Sequence, residues 1–134
     1  MQLTWRERTV FVWDINTVDN FELVLNETRK MPKNNRIAQG WGLAKISGSK
    51  NEILASDGSS DLKIIDLDKW EHISKIGVKY ENGTSLKNIN ELETIPGAKD
   101  YVFAHAIRSN GIHLINFRTG MIIKTWECQE LLDH

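Results

Sequence analysis

A chain of 134 residues can bury one modest core, and its 40% hydrophobic and 26% charged residues are ordinary for a globular protein. With 17 basic against 18 acidic residues and no stretch that concentrates Lys or Arg, it lacks the electrostatic footprint of a nucleic-acid binder. No apolar run approaches the ~20 residues of a membrane helix, so no membrane partner is expected and the chain reads as soluble. Its single cysteine, Cys128, excludes an internal disulfide framework. The opening MQLTWRERTVFVW lacks the basic leader, apolar stretch and cleavage site of a signal peptide, which leaves the compartment open.

In chain order, the first predicted strands are QLTW, TVFVWDI and FELVLN, within residues 1–27. Next comes GWGLAKI from Gly40, the turn S-G-S-K, and NEILASD ending at Asp57. The turn D-G-S-S leads into DLKIIDLDK from Asp61, and HISKIGVKY closes this unit at Tyr80. The same order recurs over 88–127 as NINELETI, YVFAHAI, IHLINF and MIIKTWE, joined by Pro, Gly, Asn and Asp turns. Each segment alternates in polarity, the mark of a strand with one buried face. No segment sustains a 3.6-residue apolar period, although the ECQELLDH tail could add a single helical turn.

Three of these strands end on a matching polar residue: Asp14, Asp66 and Asn116, spaced 52 and 50 residues apart. Four short antiparallel strands per ~50 residues is the signature of a propeller blade. The expectation is an all-β fold: a partial β-propeller of eleven strands, about two and three-quarter four-stranded blades. The blades divide as an incomplete one in 1–27 and full ones in 40–80 and 88–127, within a single domain over 1–134. A closed ring takes typically 4–8 blades, so the chain is expected to be a fragment or truncated product, or to complete its ring with another chain.

The strings LTWRERTVFVWDINT, GWGLA, ASDGSSDLKIIDLD and NINELETIPG closely resemble the glutamine cyclotransferase family, the plant and bacterial type of glutaminyl-peptide cyclotransferase. A lone GWG would be weak; four ordered motifs spanning nearly the whole chain are specific. The resemblance implies a five-bladed propeller that converts the N-terminal Gln of peptides to pyroglutamate with release of ammonia. It also implies that Trp5 and Trp41 line a central funnel as walls against the substrate glutamine. Asn90 is implied to contact the carboxamide or the developing oxyanion. One motif departs from the family pattern: Ala104-His105-Ala106-Ile107 stands where the family has A-N-V-W. The family's general acid/base glutamate and an associated lysine have no counterpart here, and they are expected upstream of Met1 and beyond His134. No residue is therefore assigned as a catalytic acid or base, and no cofactor or metal is implied.

Each assignment has a plainer competitor. Trp5 and Trp41 suit packing between blades, Asn90 a structural hydrogen bond, and Glu91 and Glu93 satisfied strand carboxylates. Asp57 suits a turn anchor that accepts from backbone N–H groups. Trp13, Trp70 and Trp126 read as outer-strand packing. His72, His105, His113 and His134 lack the spacing of a zinc site, although His105 could stand in as a base. Asn26 and Asn82 head glycosylation sequons, which arise often by chance. The functional alternatives are a non-catalytic propeller fragment or binding module, and a metal-centred, lactonase-like propeller enzyme. The second would need several carboxylate, amide or imidazole ligands on the axis, where only Asn90 and Glu91 are candidates.

Overall fold

The computed structural model describes residues 1–4, 6–14, 24–31 and 39–128. Eleven strands are found among them, as counted from the sequence pattern, and they form three antiparallel sheets. The first sheet is β1 (Gln2–Leu3), β2 (Thr9–Asp14) and β3 (Val24–Lys30). The second is β4 (Leu43–Lys45), β5 (Glu52–Ala55), β6 (Asp61–Asp66) and β7 (Glu71–Gly77). The third is β8 (Ile89–Thr94), β9 (Tyr101–Ala106), β10 (Gly111–Asn116) and β11 (Met121–Glu127). Within each sheet the strands meander in chain order, the arrangement of propeller blades.

Several strands are bounded differently from their sequence assignments: β4 begins only at Leu43, after Gly40-Trp41-Gly42, and β1 ends at Leu3. β3 runs on through Lys30 rather than ending in FELVLN. β7 stops at Gly77, because Val78 turns fully into the core and Lys79 leaves the sheet to bridge Ser85 and Met121. Residues 129–134 of the tail lie outside the described residues.

Strand alternation builds two cores. Ile53, Ala55 and Ile65 of the middle sheet meet Val10 and Met31 from the first. Leu54, Leu62 and Ile64 face the other way, against Ile89, Val102, Ala104 and Ile115 of the third. The middle sheet thus buries both faces, whereas each outer sheet has one face against it.

The repeat is visible in backbone detail. A bulge interrupts the register between Val12 and Trp13, between Ile64 and Ile65, and between Leu114 and Ile115. These positions keep the intervals of 52 and 50 residues that separate Asp14, Asp66 and Asn116. Asp66 accepts hydrogen bonds from the N–H groups of Asp68 and Lys69, and Asn116 accepts them from Arg118 and Thr119. A short side chain that closes a turn on its own backbone explains why this position repeats. Four residues after each anchor the chain is left-handed, at Gly120 (φ 75°) in the third sheet and at Trp70 (φ 55°) in the second. Trp70 bears the unfavourable φ because its indole N–H donates to the Lys30 carbonyl at 2.6 Å while the Arg29 guanidinium lies over its ring. It therefore ties the second sheet to the first, a role more specific than general packing.

Candidate functional site

The segment Gly40-Trp41-Gly42 leads into β4, where the inner edges of all three sheets meet. A Cβ on Gly40 would lie 2.7 Å from the Thr4 carbonyl oxygen and 2.8 Å from the Leu3 Cβ, both at the end of β1. A Cβ on Gly42 would collide with the Asn90 carbonyl and lie 2.9 Å from the Leu92 nitrogen on β8. The two glycines are required because neighbouring backbones approach on both sides. Trp41, between them, is held at the junction.

Its indole rests on the next turn. A Cβ on Gly58 would sit 2.6 Å from the Trp41 ring, and Gly58 is itself left-handed (φ 79°), so glycine is required there on both counts. The indole N–H donates to the Gln39 carboxamide oxygen at 2.8 Å. The turn beneath is braced by a buried ion pair: the Lys63 ammonium reaches the Asp57 carboxylate at 2.6 Å, with both side chains almost wholly enclosed. Lys63 also donates to the Ser59 hydroxyl and the Asp61 carbonyl, and Asp57 accepts from the Ser59 N–H and hydroxyl. Burial pushes the Asp57 carboxyl up, but the Lys63 ammonium and the Ser59 donors outweigh it and hold the group below its ordinary range. Asp57 is thus a turn anchor, as its position in S-D-G-S suggests, with a buried lysine as partner.

Asn90 is placed by an irregularity. Ile89 pairs with Ala106 and Leu92 with Ala104, so Asn90 and Glu91 together oppose His105 alone. A bulge of this kind re-aims a side chain at a sheet edge. The Asn90 carbonyl accepts from the fully buried Ser56 hydroxyl, which in turn accepts from the Gly42 N–H at 2.7 Å. Ser56 therefore fastens the middle sheet to the third at the junction. Sequence reasoning passed over it; its signal was a hydroxyl directly before the Asp57 turn.

Leu3, Gly40, Trp41, Asn90 and Ile107 line one groove of about 360 Å³. The structure thus brings Trp41 and Asn90 together, while Trp5 lies outside the described residues. The Asn90 side-chain amide has no partner among the described residues, and no charged residue among them lines the groove. Ile107 occupies a wall, between residues Asn88 and Arg108 of positive φ. Its N–H donates to the Asn88 carbonyl at 2.9 Å. A larger hollow of about 530 Å³ lies away from this junction, against Tyr80, Glu81 and the outer strand β11.

The other polar candidates go elsewhere. Glu91, Glu93 and His105 line a different groove, of about 220 Å³, with Phe103 and Ile112. His113 is buried: Nε2 meets the Ser109 hydroxyl at 3.1 Å, Nδ1 meets the Thr125 hydroxyl at 2.9 Å, and Tyr80 packs edge-on against the ring. Burial lowers its pKa, with Glu127 opposing. Among the described residues no three His, Cys, Asp or Glu side chains cluster as a metal site, and no helix is long and apolar enough to cross a membrane.

A family model described as glutamine cyclotransferase matches residues 1–134. The crystal structure of Myxococcus xanthus glutaminyl cyclase superposes with a TM-score of 0.79 at 24% identity, over 98% of this chain and 50% of that one. This chain therefore spans about half the length of that cyclase. The Neurospora crassa Pan2 WD40 domain superposes with a TM-score of 0.56 at 16% identity, over 90% of this chain and 31% of that one. No curated protein sequence matches. These likenesses agree with the sheet arrangement in identifying the fold as a partial propeller.

Proposed function

Because this chain belongs to the glutamine cyclotransferase family, we propose that its junction groove receives the N-terminal glutamine of a peptide or protein. The observation that carries this reading is the meeting of Trp41 and Asn90 in one groove that no charged residue lines among the described residues. A glutamine side chain is neutral, flexible and polar only at its end. An aromatic wall holds its methylenes, and an amide answers the carboxamide.

In the reaction proposed, the free α-amine attacks the side-chain carboxamide carbon, the tetrahedral oxyanion collapses, and ammonia leaves as the five-membered lactam closes. Trp41 and Ile107 would hold the side chain folded toward its own amine, which supplies proximity. The Asn90 NH2 would donate to the carbonyl oxygen as it becomes an oxyanion. The remaining requirement is a group that takes the amine proton and returns it to the leaving ammonia. Among the described residues no carboxylate or imidazole lines the groove to do so. That observation favours a second reading for this polypeptide by itself, a propeller module that binds without turnover.

Calorimetric titration with a Gln-initiated peptide, alongside an ammonia-release assay, separates these readings. Binding without ammonia above the spontaneous rate is the expected result. Trp41→Ala or Asn90→Ala should weaken binding about tenfold or more, roughly 1.4 kcal/mol each. Unchanged binding in both variants would overturn the assignment of the groove, and clear turnover by the wild-type chain would overturn the account of the absent base.

A further inference from the structure

His113 is a buried imidazole outside the junction groove, yet its contacts lead back to it. On one side Nδ1 meets the Thr125 hydroxyl of β11 at 2.9 Å, and on the other Nε2 meets the Ser109 hydroxyl at 3.1 Å. Ser109 belongs to the four-residue loop 107–110 that joins β9 to β10. Its N–H donates to the Ala106 carbonyl at 2.9 Å and its hydroxyl oxygen accepts from the Gly111 N–H at 3.2 Å, so both ends of the loop are tied to this one residue. The loop opens with Ile107, 41% exposed, which forms a wall of the groove. Arg108 follows in the left-handed region (φ 68°), a conformation that a residue with a side chain keeps only where its surroundings hold it.

The supply of hydrogens makes this arrangement sensitive to one proton. The Ser109 oxygen already accepts from Gly111, and a neutral imidazole carries a single N–H. With the Ser109 O–H given to Nε2 and the Nδ1–H given to Thr125, each group from Gly111 through Ser109 and His113 to Thr125 has its partner. A second proton, on Nε2, removes the acceptor that Ser109 uses. Two N–H groups then point at one oxygen, and the hydroxyl hydrogen has to swing away. The same proton places a charge in a buried site. The titratable groups around the ring are Glu127 on β11, His105 on β9 and the Tyr80 phenol, whose ring packs edge-on from the segment after β7. Burial foremost, and His105 with it, oppose the cation; Glu127 favours it, and the imidazole is held below its ordinary range.

We infer that His113 is a positioning residue for the groove: through Ser109 it holds loop 107–110, and with it the Ile107 wall, only while its imidazole is neutral. For a ligand the consequence is a Gln-peptide affinity that falls as the pH falls. That consequence rests on the groove being a glutamine site, whereas the coupling of Ile107 to His113 does not.

Methyl and imidazole NMR on the full 134-residue chain, from about pH 8 to 5, tests the coupling without a ligand. The Ile107 methyl signals should titrate with the midpoint of the His113 ring. They should stop doing so in Ser109→Ala, which cuts the link, and in His113→Gln, which has no proton to gain. His105→Gln should leave the titration in place. Calorimetry with a Gln-initiated peptide from about pH 6.5 to 5, where the peptide α-amine stays protonated, should show wild-type affinity falling about fivefold or more while His113→Gln stays level. Ile107 signals that ignore His113, or that keep titrating in Ser109→Ala, would overturn the inference. Absence of peptide binding at every pH with the Ile107 titration intact would overturn the glutamine reading of the groove alone. If His113→Gln does not fold, the wild type and Ser109→Ala decide.

Discussion

Replacing Asp57 with Asn tests the buried ion pair beneath Trp41 while preserving side-chain shape and the oxygen that closes the turn. The Lys63 ammonium would keep the Ser59 hydroxyl and the Asp61 carbonyl but lose the carboxylate at 2.6 Å. With both side chains nearly enclosed, the uncompensated charge should cost about 3–5 kcal/mol. For a chain of this size that lowers the melting temperature by roughly 10–20 °C. Lys63→Met in the same background removes the stranded charge, so the double variant should recover much of the loss. A double-mutant cycle from urea unfolding should then give a coupling of about 2 kcal/mol or more. The pH dependence has a definite sign. The folded Asp57 carboxyl titrates below its unfolded value near ~3.9. Its stabilisation is therefore present above that value and is lost as the pH falls through the folded pKa, where wild type and Asp57→Asn converge. A cost below about 1 kcal/mol for Asp57→Asn at neutral pH would refute the reasoning, since the ammonium would then be hydrated.

Three further outcomes follow. Ser56→Ala removes the hydroxyl that accepts from the Gly42 N–H and donates to the Asn90 carbonyl; it should cost about 1–3 kcal/mol in urea unfolding and weaken Gln-peptide binding. Gly58→Ala places a methyl 2.6 Å from the Trp41 ring on a left-handed backbone; it should reduce binding in calorimetry about tenfold while stability falls by roughly 1–2 kcal/mol. Burial keeps the His113 pKa depressed, so its stabilisation is present above the unfolded value near ~6.5 and is lost as the pH falls toward the folded pKa. The urea midpoint should therefore drop between about pH 7.5 and 5.5, and the drop should shrink in His113→Gln.

Most of the fold was legible because its signals are local. Alternation marks strands, and Asp66 and Asn116 close turns within their own few residues, so their spacing exposes the blade repeat. The G-W-G string could be read as special, yet the reason for its glycines could not. Gly40 answers to β1 and Gly42 to β8, contacts between segments distant in the chain. Lys63 looked like any strand lysine, since nothing nearby announces that its partner Asp57 is buried with it. Ser56 and the bulge that re-aims Asn90 were hidden for the same reason. The sequence admits Glu91 as an axis residue and His105 as a stand-in base, but that bulge and the strand pleat place them in another groove. Trp70 hid a different fact: only the structure shows a bulky residue accepting a backbone angle that the next blade gives to glycine.

The matched bulges at Val12, Ile64 and Leu114 give the three sheets a common local distortion at a common depth. A shared distortion makes the blades interchangeable in pitch, so each presents its neighbour with a similarly twisted surface. The contacts laid on those surfaces still differ from junction to junction, since Gly40 fits against Leu3 and Thr4 and Gly42 against Asn90 and Leu92. An insertion of a single residue between Leu114 and its turn would flip the following side chains across the sheet. The bulge positions therefore hold the register of each sheet to the residue.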